Sequence, residues 1–147
     1  MLRRTRQHIL VTRDVHSSSS IATVVQDKAS SSVRYGLLIS SSSCSIRTAS
    51  CTVRVDNAPG FLHLKEDPTL KKHGVSLDFE RIKNKNANSV IDNGIQELEH
   101  EILNVDLSGG PLTNVQLQFV VETLNTRIRN RGLSAREILN QRTTKQL

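Results

Sequence analysis

Four short runs with a two-residue apolar period, separated by stretches of helical spacing, constrain this chain most. HILVTRDV (8–15) and SIATVVQD (20–27) read as two strands joined by a polar HSSS turn, which makes a hairpin. CTVRVDN, from residue 51, reads as a third strand. VSLDFE (75–80) is the fourth, with Val75, Leu77 and Phe79 on one face and Ser76, Asp78 and Glu80 on the other. Residues 28–43 read as a helix with Val33, Leu37 and Leu38 inward. Their serine run lowers helix propensity, and low-complexity disorder stays open as the alternative. FLHLKEDPTLKKHG is a helical stretch broken at Pro68 and stopped at Gly74. RIKNKNANS (81–89) is a basic, Asn-rich loop. From Asn88 to Leu103, Ile91, Ile95, Leu98 and Ile102 recur at helical spacing. SGGP (108–111) is a loop, residues 113–130 are a helix ended by Gly132, and SARE (134–137) is a capping box that opens a last short helix through Leu139. This order predicts an α/β layer structure around a mixed sheet.

The 147 residues suffice for one domain with a real core, but three Phe, one Tyr and no Trp make that core lean. The net charge of +6 favours acidic partners, nucleic acid above all. It is uneven: Arg3, Arg4, Arg6 and Arg13 open the chain without an acid, and 109–147 carry six Lys/Arg against Glu122 and Glu137. Cys44 and Cys51 lack CxxC spacing and the five His lack an HxxxH pattern, so no zinc site is expected. The two cysteines read as small core or surface thiols, and His16, His63 and His73 as surface residues. No apolar run approaches the length of a membrane span. The first fifty residues, rich in Arg and Ser with only Asp14 and Asp27 as acids, also have the composition of a mitochondrial transit peptide, although strand-like runs inside them argue for the fold.

Two carboxylates stand out by position. Asp56 closes a strand and enters the turn Asn57-Ala58-Pro59-Gly60. Asp92 falls in the first turn of the helix that follows the loop. Thirty-five residues lie between them. With this spacing, the strings VRVDNAPGF, IQELEHEIL and LNTRIRNRGLSAREIL resemble the integrase region of Pol polyproteins from LTR retrotransposons and retroviruses.

The resemblance implies an RNase H-like integrase core over residues 1–142, with 143–147 as a tail. It implies metal-dependent DNA cleavage and strand transfer with Mg²⁺ or Mn²⁺, DNA as partner, a possible homo-oligomer, and a nuclear or cytoplasmic location with a mitochondrial one as alternative. Two-metal phosphoryl transfer needs hard oxygen ligands on both sides of the reacting phosphate. Asp56 matches the family's second acid and Asp92 its third. Asn57 would shape the turn beside the metal, and Asn84, Lys85 and Asn86 would sit in the loop next to it. Lys83, Lys85, Arg127, Arg129 and Arg131 are the candidate nucleic-acid contacts, with Arg3, Arg4 and Arg6 as a further arm.

The sequence also departs from the family. The third acid is usually Glu; Asp is shorter by about 1.5 Å, and a misplacement of about 1 Å can cost ~10²-fold in rate. The first acid belongs to an opening strand that here has shrunk to MLRRTRQ, which holds no acid. Asp14 is the only nearby substitute, and it aligns better with a non-catalytic Asp at the end of the second strand. The amino-terminal His-Cys zinc module is absent. A truncated, inactive core is therefore expected, with an exposed sheet edge that invites pairing. The alternatives are a non-catalytic nucleic-acid-binding remnant and a mitochondrial or gene-model fragment without function. Local structure offers plainer roles: Asp56 as an Asx-turn residue, Asp92 as a partner of the helix dipole, the three late arginines as a solvated helix end, and the early ones as a frayed terminus.

Overall fold

Alternation along one strand sets the architecture. The computed structural model of the chain describes residues 2–4, 7–42, 51–79, 89–105, 110–129 and 132–145. Strand β1 (Leu2–Arg4) pairs antiparallel with β2 (Gln7–Arg13), which pairs antiparallel with β3 (Ser20–Val25). On β2, Ile9 and Val11 point into one apolar cluster and Leu10 into another. The strand is therefore covered on both faces, and its apolar run follows from that.

The cluster around Ile9 and Val11 is closed by α4 (Ser89–Val105), through Leu98 and Ile102, and by α5 (Asn114–Thr126), through Leu117, Val120, Val121 and Leu124. The cluster around Leu10 is closed by α1 (Ser30–Ser42), through Val33 and Leu37. It extends under β4 (Cys51–Val55), α2 (Pro59–Leu62), α3 (Pro68–Lys72) and β5 (Val75–Phe79). The last helix, α6, is Ala135–Lys145.

Local chemistry explains most of the element ends. The serine-rich stretch does form a helix: Asp27 accepts the Ala29 N–H at its start, and hydrogen bonds from Ser32 and Ala29 hold the Asp27 carboxyl below its usual range. Asp67 caps α3 by accepting the Leu70 N–H, and its carboxylate also receives Arg34 from α1 at 2.9 Å. Gly74 has φ +72 and ends that helical stretch. Gly60 lets α2 approach the start of α1, because a Cβ there would stand 2.5 Å from the Lys28 carbonyl oxygen. The capping box at Ser134 forms as expected: the Ser134 N–H reaches Glu137 Oε2, and the Ser134 hydroxyl accepts the Glu137 N–H. A second one, Thr113 with Gln116, opens α5.

The structure departs from the sequence reading in three places. Among the described residues the strands form two sheets, β1-β2-β3 and a parallel pair β4-β5, where one mixed sheet was expected. The pair β4-β5 buries only one face: Val53, Val55 and Leu77 lie inward, while Thr52, Arg54, Ser76 and Asp78 are exposed. Helix α5 ends at Thr126, ahead of Gly132, because Arg127 turns extended (ψ 130) and Ile128 bridges Ser134. Helix α6 runs past Leu139 to Lys145.

Long-range polar pins hold α5 and its entry on the sheet. Buried Asn125 accepts the Ser20 N–H and donates to the Ser20 carbonyl, both at 2.8 Å. Gln7 makes the same reciprocal pair with the Leu112 backbone, at 2.8 and 3.0 Å. Asn125→Ala leaves two buried backbone groups unmet, so chemical denaturation should show a loss of about 2–4 kcal/mol. Gly60→Ala gains about 1 kcal/mol of helix propensity yet should be net destabilising, since the obstructing atom is backbone; differential scanning fluorimetry reads this as a lowered Tm.

Candidate functional site

Five of the functional candidates, three acids and two arginines, line one cleft of about 1620 Å³. Its walls are the end of β2 with the turn 14–19, strand β4 with Asp56, the first turns of α4, and the segment 127–129 with α6. Asp14, Asp56 and Asp92 all line it. Asp56 leaves β4 exposed, and its Oδ1 accepts the Ala58 N–H at 3.0 Å. The carboxylate thus makes the Asx turn that delivers Pro59 to the first position of α2. Asn57 beside it is exposed. Asp92 is exposed in the first turn of α4, where the helix dipole favours an anion.

Asp14 is tied into the hairpin turn: its Oδ2 accepts the Ser17 N–H at 2.7 Å, its carbonyl accepts from Ser18, and its N–H reaches the Ser19 carbonyl. Ser18 completes that turn at φ +63. Among the described residues, no group of three or more His, Cys, Asp or Glu stands close enough together to hold a metal ion. As placed among the described residues, these acids do not form a two-metal centre.

The late arginines take roles that the local sequence did not indicate. Arg127 and Arg129 lie beyond the end of α5, in an extended link, and reach back to α4. Arg127 Nη2 meets Glu101 Oε2 at 2.5 Å, and Arg129 holds Glu97 in a two-point contact at 3.2 and 3.0 Å. Arg13, at the end of β2, shares Glu97 at a longer 3.5 Å. Its side chain is only 6% exposed and lies along Gly94, where a Cβ would come within 2.9 Å of it. Arg136 of α6 pairs with Glu122 of α5.

Arg13, Glu97 and Glu101 were not singled out from sequence, yet a signal existed. Four residues of helix rise about 6 Å, and two residues of extended chain span about 6.6 Å. Glu97 and Glu101 on a helix therefore match Arg127 and Arg129 on an extended link, pair for pair. Lys83, Lys85, Asn84, Asn86, Arg131 and Cys44 lie outside the described residues. No helix among the described residues is long and apolar enough to cross a membrane.

Burial pushes Glu97 up, but hydrogen bonds and charge from Arg129 and Arg13 outweigh it and hold the carboxyl below its usual range. A depressed folded-state pKa adds stability above the unfolded value, and that stability is lost as pH falls through the folded value. Acid titration of Glu97→Gln should therefore show a shallower loss of stability below the ordinary carboxylate range than the parent, with the two converging at the acid end.

No protein-family model matches the sequence, and no curated protein matches it either. Among solved structures, the chain is similar to the catalytic core domain of BIV integrase in a crystal structure. The TM-score is 0.78 at 19% sequence identity, over 99% of this chain and 94% of that one. At that identity the likeness speaks for architecture: the chain has the RNase H-like fold of an integrase catalytic core.

Proposed function

We propose that this chain is a retrotransposon-derived, integrase-core-like domain that holds nucleic acid without metal-dependent turnover. The observation that carries the reading is the cleft itself. On an integrase-like fold, Asp56 and Asp92 line one cavity at the positions the sequence resemblance marks, while Asp14, which also lines it, is engaged by its own turn. By the resemblance, cores of this kind cut and join DNA with divalent metals held by three carboxylates, of which Asp56 and Asp92 would be two. DNA contact rests on the net charge of +6 and on the arginines at the cleft rim, of which Arg127 keeps a half-exposed guanidinium.

The test is a strand-transfer and nicking assay with Mg²⁺ or Mn²⁺, beside equilibrium DNA binding. No metal-dependent product is expected. DNA affinity should fall steeply with salt, with a log–log slope of about −0.9 per phosphate neutralised. It should survive Asp56→Asn and Asp92→Asn unchanged. Metal-dependent cleavage abolished by either substitution would establish a working enzyme and sink the proposal; binding that is flat with salt would remove its nucleic-acid half.

A further inference from the structure

Two arginines at the cleft share one carboxylate, and they share it unequally. Arg129 takes both oxygens of Glu97, at 3.2 and 3.0 Å, whereas Arg13 reaches only Oε1, at 3.5 Å. Arg13 is also the more deeply placed: its side chain is 6% exposed, against 27% for Arg129. Arg13 Nε and Nη1 are buried without a hydrogen-bond partner among the described residues, and so is Arg129 Nε. Arg13 is thus a permanently charged group, closed to solvent, with two kinds of donor unmet. Such a group is costly, and a better-placed carboxylate would relieve it. The carboxylate at hand is Glu97, and Arg129 occupies it.

The neighbouring pair is built differently. Arg127 is half-exposed, but its partner Glu101 is nearly buried. Among the described residues no second cation pairs with Glu101, so Arg127 cannot leave without stranding a buried charge. At Glu97 a second cation is already in place. Gly94 keeps that place open, because a Cβ there would stand 2.9 Å from Arg13 Cδ and 3.1 Å from Nη1.

We propose that Arg13 is the reserve partner of Glu97, a positioning residue that frees Arg129 to bind a nucleic-acid phosphate at the cleft. The assignment rests on the proposed nucleic-acid function and names the cation that serves it. Arg129 exchanges Glu97 for the phosphate, which can also meet its Nε. The Glu97 carboxylate closes on Arg13 as Arg129 withdraws, and it satisfies donors that were unmet before. No buried charge is left alone at either stage, so the exchange is close to balanced. Release therefore runs against exposure: Arg129, the less exposed of the two late arginines, is the one set free, while Arg127 stays on Glu101. Arg13 itself never touches the nucleic acid.

The experiment measures equilibrium binding of the intact chain to a DNA duplex of fixed length across a salt series. In Arg13→Met, Glu97 has Arg129 alone and keeps it. The log–log salt slope should then shrink by about 0.9, one phosphate contact, although no accessible cation has been removed. Arg129→Gln should lose the same amount, and the double substitution Arg13→Met/Arg129→Gln no more than either one. Adding Glu97→Gln to Arg13→Met should restore the slope. Adding Glu99→Gln, which makes the same change of charge at an exposed position of α4, should not. An unchanged slope in Arg13→Met would overturn the proposal. Equal rescue by Glu97→Gln and Glu99→Gln would reduce the effect to net charge and overturn it too. If Arg13→Met does not fold, the single variants decide: Glu97→Gln should bind DNA more tightly than Glu99→Gln, and equal affinities would sink the exchange. A parent chain that binds no DNA removes the proposed function and this inference together; a parent that binds, with Arg13→Met alike in slope, removes the inference alone.

Discussion

The double burial of β2 is the constraint on which the remaining structure depends. Ile9 is fully inaccessible and Leu10, its neighbour, is 3% exposed, yet the two belong to different apolar clusters. A strand with one wet face could have been served by a single layer of helices. This one needs cover on both sides, and α1 and the α4–α5 pair supply it. The aromatic-poor composition is tolerable for the same reason. Each layer is thin, and Leu, Ile and Val fill it at normal packing without large rings. The reciprocal amide pairs Asn125–Ser20 and Gln7–Leu112 then fix how the second layer sits, where apolar packing alone is indifferent to small rotations.

The region around the cleft is organised by charge. Glu97 and Glu101 lie one helical turn apart on α4 and draw in Arg129 and Arg127, so that the link between α5 and α6 is laid against α4 as an extended segment. Arg13 competes for Glu97 and comes off second best. The result is a site edge made rigid by mutual neutralisation, which leaves less positive charge for a phosphate than the raw count of arginines suggests. Asp56 and Asp14 show the same economy on the acidic side: each carboxylate engages a backbone N–H of its own turn.

Much of this was legible in the sequence, and the failures have physical reasons. Alternation in HILV and VSLDF and the helical recurrence of Ile91, Ile95, Leu98 and Ile102 are local periodicities, and local periodicity survives folding. The capping box at Ser134 is a contact between residues three apart, so it too could be read directly. The end of α5 could not. Residues 127–129 suit a helix locally, and it is their pairing with Glu101, Ser134 and Glu97 that draws them out of it. The division into two sheets is also nonlocal, since no local pattern states which edges meet. For the site, the resemblance placed Asp56 and Asp92 in sequence. That they open into a common cavity with Asp14, and that Arg13 is buried against Gly94, are products of the tertiary arrangement.

The one-sided burial of β4 and β5 gives the molecule a built-in line of weakness. Among the described residues, β4, α2, α3 and β5 pack on the cluster around Leu10, with the Arg34–Asp67 contact beside it, whereas the hairpin with α4 and α5 has its own, larger cluster and its own polar pins. Segments with fewer buried contacts open at lower free energy than the whole molecule, so β4 and β5 are expected to loosen before the antiparallel sheet does. Such local opening would widen the cleft without breaking the antiparallel sheet, at less than the cost of global unfolding.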